Sequence, residues 1–249
     1  MIRQDLFLAS PYLNAAGTLG FAPPARWPIP EPPGAFITNP ISINPRSPAG
    51  ERASLPFPGG FLLHTGYPNP GLNRVLKRYG ERWAQSDLPI WVHLLASDPG
   101  ELQHMIRRLE GVEGVMAVEL GLPPWLKGED ALAFLQGAYG ELPLVVNIPI
   151  TSAGEPWIAK LPELGASAIA LGAPRGTLVT DSGRPVNGRL FGPALLPLAI
   201  AAVQAVRRLG MQVIAGAGIF RPGDAQTLRD AGAWAVQLDS VLWRGWAAG

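Results

Sequence analysis

The 249-residue sequence contains no cysteine. That absence removes disulfides, thiolate metal sites and thiol nucleophiles together, although it fixes no compartment. Charge is sparse as well: Asp, Glu, Lys and Arg make up 16% of the chain, 20 basic against 19 acidic side chains, for a net charge of +1. Scattered without long runs, they give no electrostatic footprint for nucleic acid or an anionic membrane, and neither is an expected partner. Long apolar runs are missing too. The most apolar helix candidate, Ala194 to Val206, has 13 residues before Arg207 and Arg208, whereas a bilayer span takes about 20. The opening Met-Ile-Arg-Gln-Asp lacks the apolar core of a signal peptide, so a cytoplasmic protein is the expectation. Neither His64 nor His104 falls in metal-ligand spacing, and no metal site is expected. There is no serine nucleophile elbow and no Walker-type loop.

What the chain does have is 30 glycines and 27 prolines, gathered between short apolar runs. Eight such runs read as strands: Leu8 to Asn14, Ala35 to Asn39, Ile90 to Leu95, Ala117 to Gly121, Leu144 to Pro149, Ala168 to Ala173, Gln212 to Gly218 and Ala235 to Ser240. Their near-continuous apolar character suits a sheet buried on both faces. Between them lie amphipathic stretches. Pro70 to Ala84 puts Leu72, Val75, Leu76 and Tyr79 on one stripe, and Asp98 to Leu109 does so with Leu102, Met105, Ile106 and Leu109. Asp98, Pro99 and Glu101 look like an N-cap, a first-turn proline and a capping-box acid. Further helices are expected at Gly128 to Gly140, Glu155 to Leu164, Pro193 to Leu209 and Pro222 to Ala231. This alternation predicts α/β architecture, a single-domain (β/α)8 TIM barrel spanning residues 1–249, and the length suits it. Ala22 to Gly34, with six prolines, and Pro45 to Gly60, with four, read as long ordered loops.

In such barrels side chains meet a ligand at the C-terminal strand ends. Those ends offer Asn14, Asn39, His93, Glu119, Asn147 and Asp239. Polar groups in apolar runs need hydrogen-bond partners, which a ligand or an adjacent strand can supply. His93 suits acid, base or donor roles near neutral pH. Glu119 and Asp239 stand half a barrel apart and form no evident catalytic pair. Gly216-Ala217-Gly218 leaves backbone N–H groups uncovered after the seventh strand, Arg221-Pro222-Gly223-Asp224 then opens a helix, and Ser240 adds a hydroxyl from the eighth. A phosphorylated small-molecule ligand is the expectation.

Several segments, in order along almost the whole chain, resemble dihydroorotate dehydrogenases. They are Asn14-Ala15-Ala16-Gly17, Phe36-Ile37-Thr38, Gly66-Tyr67-Pro68-Asn69-Pro70-Gly71, Thr180-Asp181-Ser182-Gly183-Arg184-Pro185-Val186, and Gly192-Pro193 with Pro197. The resemblance implies an FMN-dependent barrel with the flavin phosphate at the last two strand ends and the substrate stacked on the flavin ring. Carried over by position, it implies flavin contacts at Ala16, Gly17, Asn39, His93, Asn147, Gly192, Gly216, Gly218 and Ser240. It also implies a homodimer, by analogy with related barrels.

The departures are specific. Asn39 and Asn147 stand where the family has lysines, while His93 and Gly121 replace flavin-facing asparagines. Asp239 replaces a glycine beside the phosphate, where its carboxylate would repel that group. On the substrate side, Leu122-Pro123-Pro124-Trp125-Leu126 replaces the loop that carries a Cys or Ser base, with Pro124 in the base's place. Leu63 and Ala173 replace amides. A pocket so altered pairs poorly with a polar pyrimidine acid. The expectation is therefore a flavin oxidoreductase acting on a less polar small molecule, with Trp125 and Tyr67 as pocket walls and His93, His64 or Tyr67 as the proton-transfer candidates. Two alternatives stay open: a catalytically silent barrel serving as a ligand-binding or assembly subunit, and a flavin-free phosphosugar enzyme.

Overall fold

The computed structural model describes residues 4–50 and 53–247. Along the chain come β1 (Tyr12–Asn14), β2 (Pro33–Ile37), β3 (Ala53–Phe57), β4 (Gly60–His64), β5 (Ile90–Leu94), β6 (Val115–Gly121), β7 (Leu144–Pro149) and β8 (Ala168–Gly172). After them follow β9 (Arg175–Val179), β10 (Pro185–Phe191), β11 (Gln212–Ala215) and β12 (Ala235–Leu238). Eight strands close a barrel in the order β1-β12-β11-β8-β7-β6-β5-β2, and neighbours run parallel throughout. Each of these strands carries one of the eight apolar runs. The seventh and eighth stop at Ala215 and Leu238, short of the glycines and of Ser240, and the first is reduced to three residues.

Alternation along the strands sorts side chains into two cores. Inside the barrel sit Leu13, Ala35, Ile37, Trp91, Ala117, Val145, Ala168, Ala170, Ile214 and Ala235. Around them, the outward faces pack against helices through residues such as Val92, Val118, Val146, Ile169 and Val213. The helices are α1 (Leu72–Ala84), α2 (Pro99–Glu110), α3 (Gly128–Leu135), α4 (Leu196–Arg207), α5 (Pro222–Asp230) and α6 (Val241–Arg244). In α2 the stripe Leu102, Met105, Ile106 and Leu109 is buried, and Asp98 accepts the Glu101 N–H at 2.9 Å. Glu101 turns back to the N–H of Ser97 at 2.8 Å, one residue before the cap. The proline-rich segment is a loop only as far as residue 32, since Pro33 and Gly34 open β2, and it is anchored to α1 where Trp83 Nε1 donates to Phe21 O at 2.7 Å.

Three expectations need correcting. Glu155 to Leu164 is not an α-helix but a 3-10 turn over Pro156–Lys160, because Pro162 has no N–H to continue a helical ladder. Helix α3 ends at Leu135 rather than Gly140. Just beyond it the chain passes so close to α2 that a Cβ on Gly137 would lie 2.4 Å from Pro99 O. Pro45 to Gly60 is only partly loop: β3 and β4 form a hairpin that joins β10 and β9 in a four-stranded antiparallel sheet, order β3-β4-β10-β9.

Candidate functional site

Register places the inward-facing polar residues together. His93 on β5 is level with Glu119 on β6, and Asn147 on β7 is level with Gly121. His93 Nδ1 lies 2.6 Å from Glu119 Oε1, and Asn147 Nδ2 donates to the same oxygen at 3.2 Å. From the opposite wall Gln237 of β12 donates through Nε2 to Glu119 Oε2. Glu119 is completely buried and His93 nearly so. A buried carboxylate is tolerated where donors surround it, and here both oxygens are engaged. Because the amides of Asn147 and Gln237 can only donate through nitrogen, the carboxylate acts as acceptor, and His93 carries its proton on Nδ1. The other ring nitrogen, Nε2, makes no protein hydrogen bond and faces Gly121, where a Cβ would approach it to 2.6 Å. Glycine at that position makes room for the imidazole.

The ends of β11 and β12 form the second part of the site. Gly218 has φ +81°, and a Cβ on it would lie 2.3 Å from the Leu196 N at the start of α4. Its glycine thus serves close chain packing as well as backbone conformation. Beside it the Ser240 hydroxyl is buried and makes no hydrogen bond of regular geometry, although it lies close enough to Asp239 to favour the ionised carboxylate. The backbone N–H of Ser240 donates to Asp239 Oδ1. Burial pushes the Asp239 carboxyl up from its ordinary 3.8 to about 6, against the opposing pull of the Ser240 N–H and hydroxyl and of the Arg189 and Arg244 charges.

Arg189, on β10, is a site residue that the sequence reading missed. Its guanidinium lies 5.2 Å from the Tyr67 ring centroid and 5.6 Å from that of Phe191. One terminal nitrogen is 3.5 Å from where a Cβ on Gly17 would stand. Tyr67 itself holds φ +52°, a left-handed conformation that costs a non-glycine residue about 1–3 kcal/mol and concentrates at functional sites. A cavity of about 570 Å³ opens next to the Ser240 end, lined by Gly59, Phe61, Leu196, Phe220, Arg221 and Arg244 among others. That volume falls within the roughly 300–1,000 Å³ of small-molecule sites. Arg244 lies 4.1 Å over the Phe220 ring there. Gly216, Gly218 and Ser240 do not line this cavity.

The remaining expected residues divide. Asn14 ties β1 to β2, donating to Ile37 O at 2.6 Å and accepting its N–H at 2.8 Å. Asn39 accepts the Gly20 N–H at 3.0 Å. Both have structural employment. Ala16 is buried and Gly17 holds φ +89°. Gly192 packs on the β3–β4 turn, where a Cβ would lie 2.1 Å from Gly59 O. His64 stands in the antiparallel sheet, away from the inner quartet. Trp125 is 71% exposed, so it walls no pocket in this conformation. Among the described residues no group of three or more His, Asp or Glu is placed to hold a metal ion, and no helix is long and apolar enough to cross a membrane.

The closed parallel barrel, with polar groups gathered at one level of its interior, defines a TIM-barrel protein. No protein-family model matches the chain. It is similar to the catalytic subunit of dihydroorotate dehydrogenase B (NAD(+)) of Desulforudis audaxviator, 28% identical over 263 residues, covering 95% of this chain and 84% of that one. The subunit of the same name from Citrifermentans bemidjiense is 27% identical over 272 residues, 97% and 88% of the two chains. Among solved structures, a DHODH of Eimeria tenella in complex with ferulenol matches with a TM-score of 0.69 at 16% identity, over 94% of this chain and 77% of that one. Along nearly its whole length the chain is similar to dihydroorotate dehydrogenases.

Proposed function

We propose that the protein is an FMN-dependent oxidoreductase of the dihydroorotate dehydrogenase type that acts on a small molecule less polar than dihydroorotate. The observation that carries the reading is the His93–Glu119 pair: a buried imidazole oriented through Nδ1, with Nε2 left free beside Gly121. A carboxylate that fixes the tautomer of a histidine prepares its other nitrogen to give or take a proton. Of the three proton-transfer candidates His93 is favoured, since Tyr67 is covered by Arg189 and His64 belongs to the outer sheet.

The residues present fit a flavin phosphate in kind. The buried Ser240 hydroxyl makes no hydrogen bond of regular geometry, the family resemblance sets the Gly216 to Gly218 backbone beside it, and Arg189 and Arg244 bring positive charge. Ala16 and Gly17 would lie along the ring by family resemblance, with Arg189 in place of the lost lysines as the cation near it. FMN, when bound, supplies hydride transfer at N5. His93 would move the accompanying proton at Nε2, while Asn147 and Gln237 hold Glu119 still. Leu63, Ala173 and Pro124 offer a substrate no side-chain amide or base, which argues for an apolar one.

A second reading, a catalytically silent barrel that binds a ligand, is favoured by Asp239 at the anion cradle. The visible spectrum and mass of the small molecule that co-purifies separate the two. The FMN-loaded protein, reduced with dithionite, is then offered α,β-unsaturated carbonyl compounds, which take up one hydride and one proton. Expected is reoxidation that His93→Gln slows by about 10²-fold or more, the range of general acid–base help. A protein that takes up no FMN, or a variant as fast as wild type, would remove the proposal.

A further inference from the structure

The eighth strand ends in an anion of the chain's own. A carboxylate and a phosphate compete for the same partners, backbone N–H groups and arginines. Asp239 already holds the Ser240 N–H. It is buried, and the Ser240 hydroxyl beside it makes no hydrogen bond of regular geometry. We propose that Asp239 is a proton-controlled occupant of this cradle: ionised, it keeps the Ser240 N–H for itself, and on taking up a proton it releases that donor to a phosphate-bearing ligand. The inference rests on the flavin reading only for the identity of the ligand.

The surroundings leave Asp239 as the group that titrates. Arg189 on β10 and Arg244 on α6 are the charges acting on it, both favouring ionisation, and burial outweighs them. Deeper in the barrel, Glu119 and His93 are engaged with each other and with Gln237. At the start of α5, Asp224 Oδ2 accepts the N–H groups of Phe220 at 2.9 Å and Arg221 at 2.8 Å. Two anions sharing one N–H repel strongly in a dry site. Binding of a phosphate dianion to the ionised form therefore takes one proton from solvent onto the Asp239 carboxylate. The neutral carboxyl then keeps an O–H to donate to the incoming anion.

The fraction of protein competent to bind is the protonated fraction, and apparent affinity scales with it. With Asp239 titrating at about 6, affinity for an anion of constant charge such as sulfate should weaken about 100-fold between pH 5 and pH 8, and that for FMN about tenfold, because its phosphate gains its own second charge near pH 6. The test titrates FMN and riboflavin, which lacks the phosphate, onto wild type and Asp239→Asn by flavin fluorescence at both pH values. Expected is a loss of FMN affinity of about tenfold at pH 8 in wild type only, with riboflavin indifferent to pH in both proteins. Equal FMN affinity at the two pH values in wild type, or the same loss in the asparagine variant, overturns the proposal. If neither flavin binds at all, the flavin reading fails, and sulfate, a dianion at both pH values, decides the matter. Stabilisation by millimolar sulfate at pH 5 but not pH 8 in wild type, and at both in the variant, upholds the proposal; no difference between the proteins overturns it. Asp239→Gly, which removes the carboxylate outright, repeats the comparison should the asparagine variant not fold.

Discussion

Replacing Asp239 with Asn should make the protein more stable at alkaline than at acid pH relative to wild type. The carboxyl is fully buried and titrates at about 6 in the fold against 3.8 when solvated. A shift of one unit corresponds to about 1.4 kcal/mol, so the shift of roughly two units is worth about 3 kcal/mol. The folded pKa lies above the unfolded one, so the folded state binds the proton more tightly. Its contribution is complete below about pH 3.8, declines as the pH rises through about 6, and is gone by about pH 8. Asn cannot ionise, yet its Oδ1 can still accept the Ser240 N–H. The stability difference between variant and wild type should therefore grow by about 2.5 kcal/mol in the variant's favour from pH 4 to pH 8. For a chain of this size that is about 5–10 °C in melting temperature. Urea denaturation of both proteins at several pH values, in the absence of phosphate and sulfate, measures it. A difference that stays constant across the range would show that Asp239 ionises in the fold as it does in water, and the reasoning from its burial would be wrong.

Other outcomes follow from the same geometry. Glu119→Gln turns one acceptor of the inner quartet into a donor facing donors, and should cost about 1–3 kcal/mol in urea denaturation; an unchanged midpoint would mean that the quartet does not form in solution. Gly218→Ala sets a Cβ 2.3 Å from Leu196 N at φ +81°, whereas Gly210, at φ +73°, faces open space. The first substitution should cost well over the roughly 1–3 kcal/mol of backbone strain expected of the second, and equal melting temperatures for the two variants would refute the packing argument. With Pro124, Leu63 and Ala173 in place of base and amides, FMN-loaded wild type should not be bleached by dihydroorotate under anaerobic conditions. Installing Cys at position 124 alone should not change that, because the binding amides would still be missing. Rapid bleaching of the wild-type visible band would show that another residue supplies the base.

The barrel was legible because its strands answer to one physical demand. Runs such as Leu144 to Pro149 and Ala168 to Gly172 are apolar on both faces since one face meets the interior and the other the helices, as a sheet covered on both sides requires. Capping chemistry marked the start of α2 for a similar reason: Asp98 and Pro99 satisfy local needs. The antiparallel sheet β3-β4-β10-β9 escaped because its strands are half exposed and interrupted. Pro56 sits within β3, and β9 alternates exposed and half-buried residues up to Val179, 66% exposed. Such segments carry the proline and glycine content of a loop, and their pairing is decided by partners more than 100 residues away, as β10 is from β4.

The site was legible by position and illegible by role. His93, Glu119 and Asn147 were marked as strand-end polar residues, but nothing in their spacing shows that the Glu119 carboxylate gathers the other two together with Gln237. Gln237 shares the inward register of Ala235, a signal visible only once the barrel's interior is defined. Arg189 was hidden for a different reason. It reaches the site from a hairpin outside the barrel, so no strand-end rule could find it. Asp239 shows how far both kinds of reading go together. The family resemblance implies a glycine at this position, and Coulomb's law alone makes a carboxylate there a liability. The structure adds that the carboxylate is buried, holds the Ser240 N–H and stands between two arginines. Those facts turn a misplaced charge into a group whose proton decides what the cradle can hold.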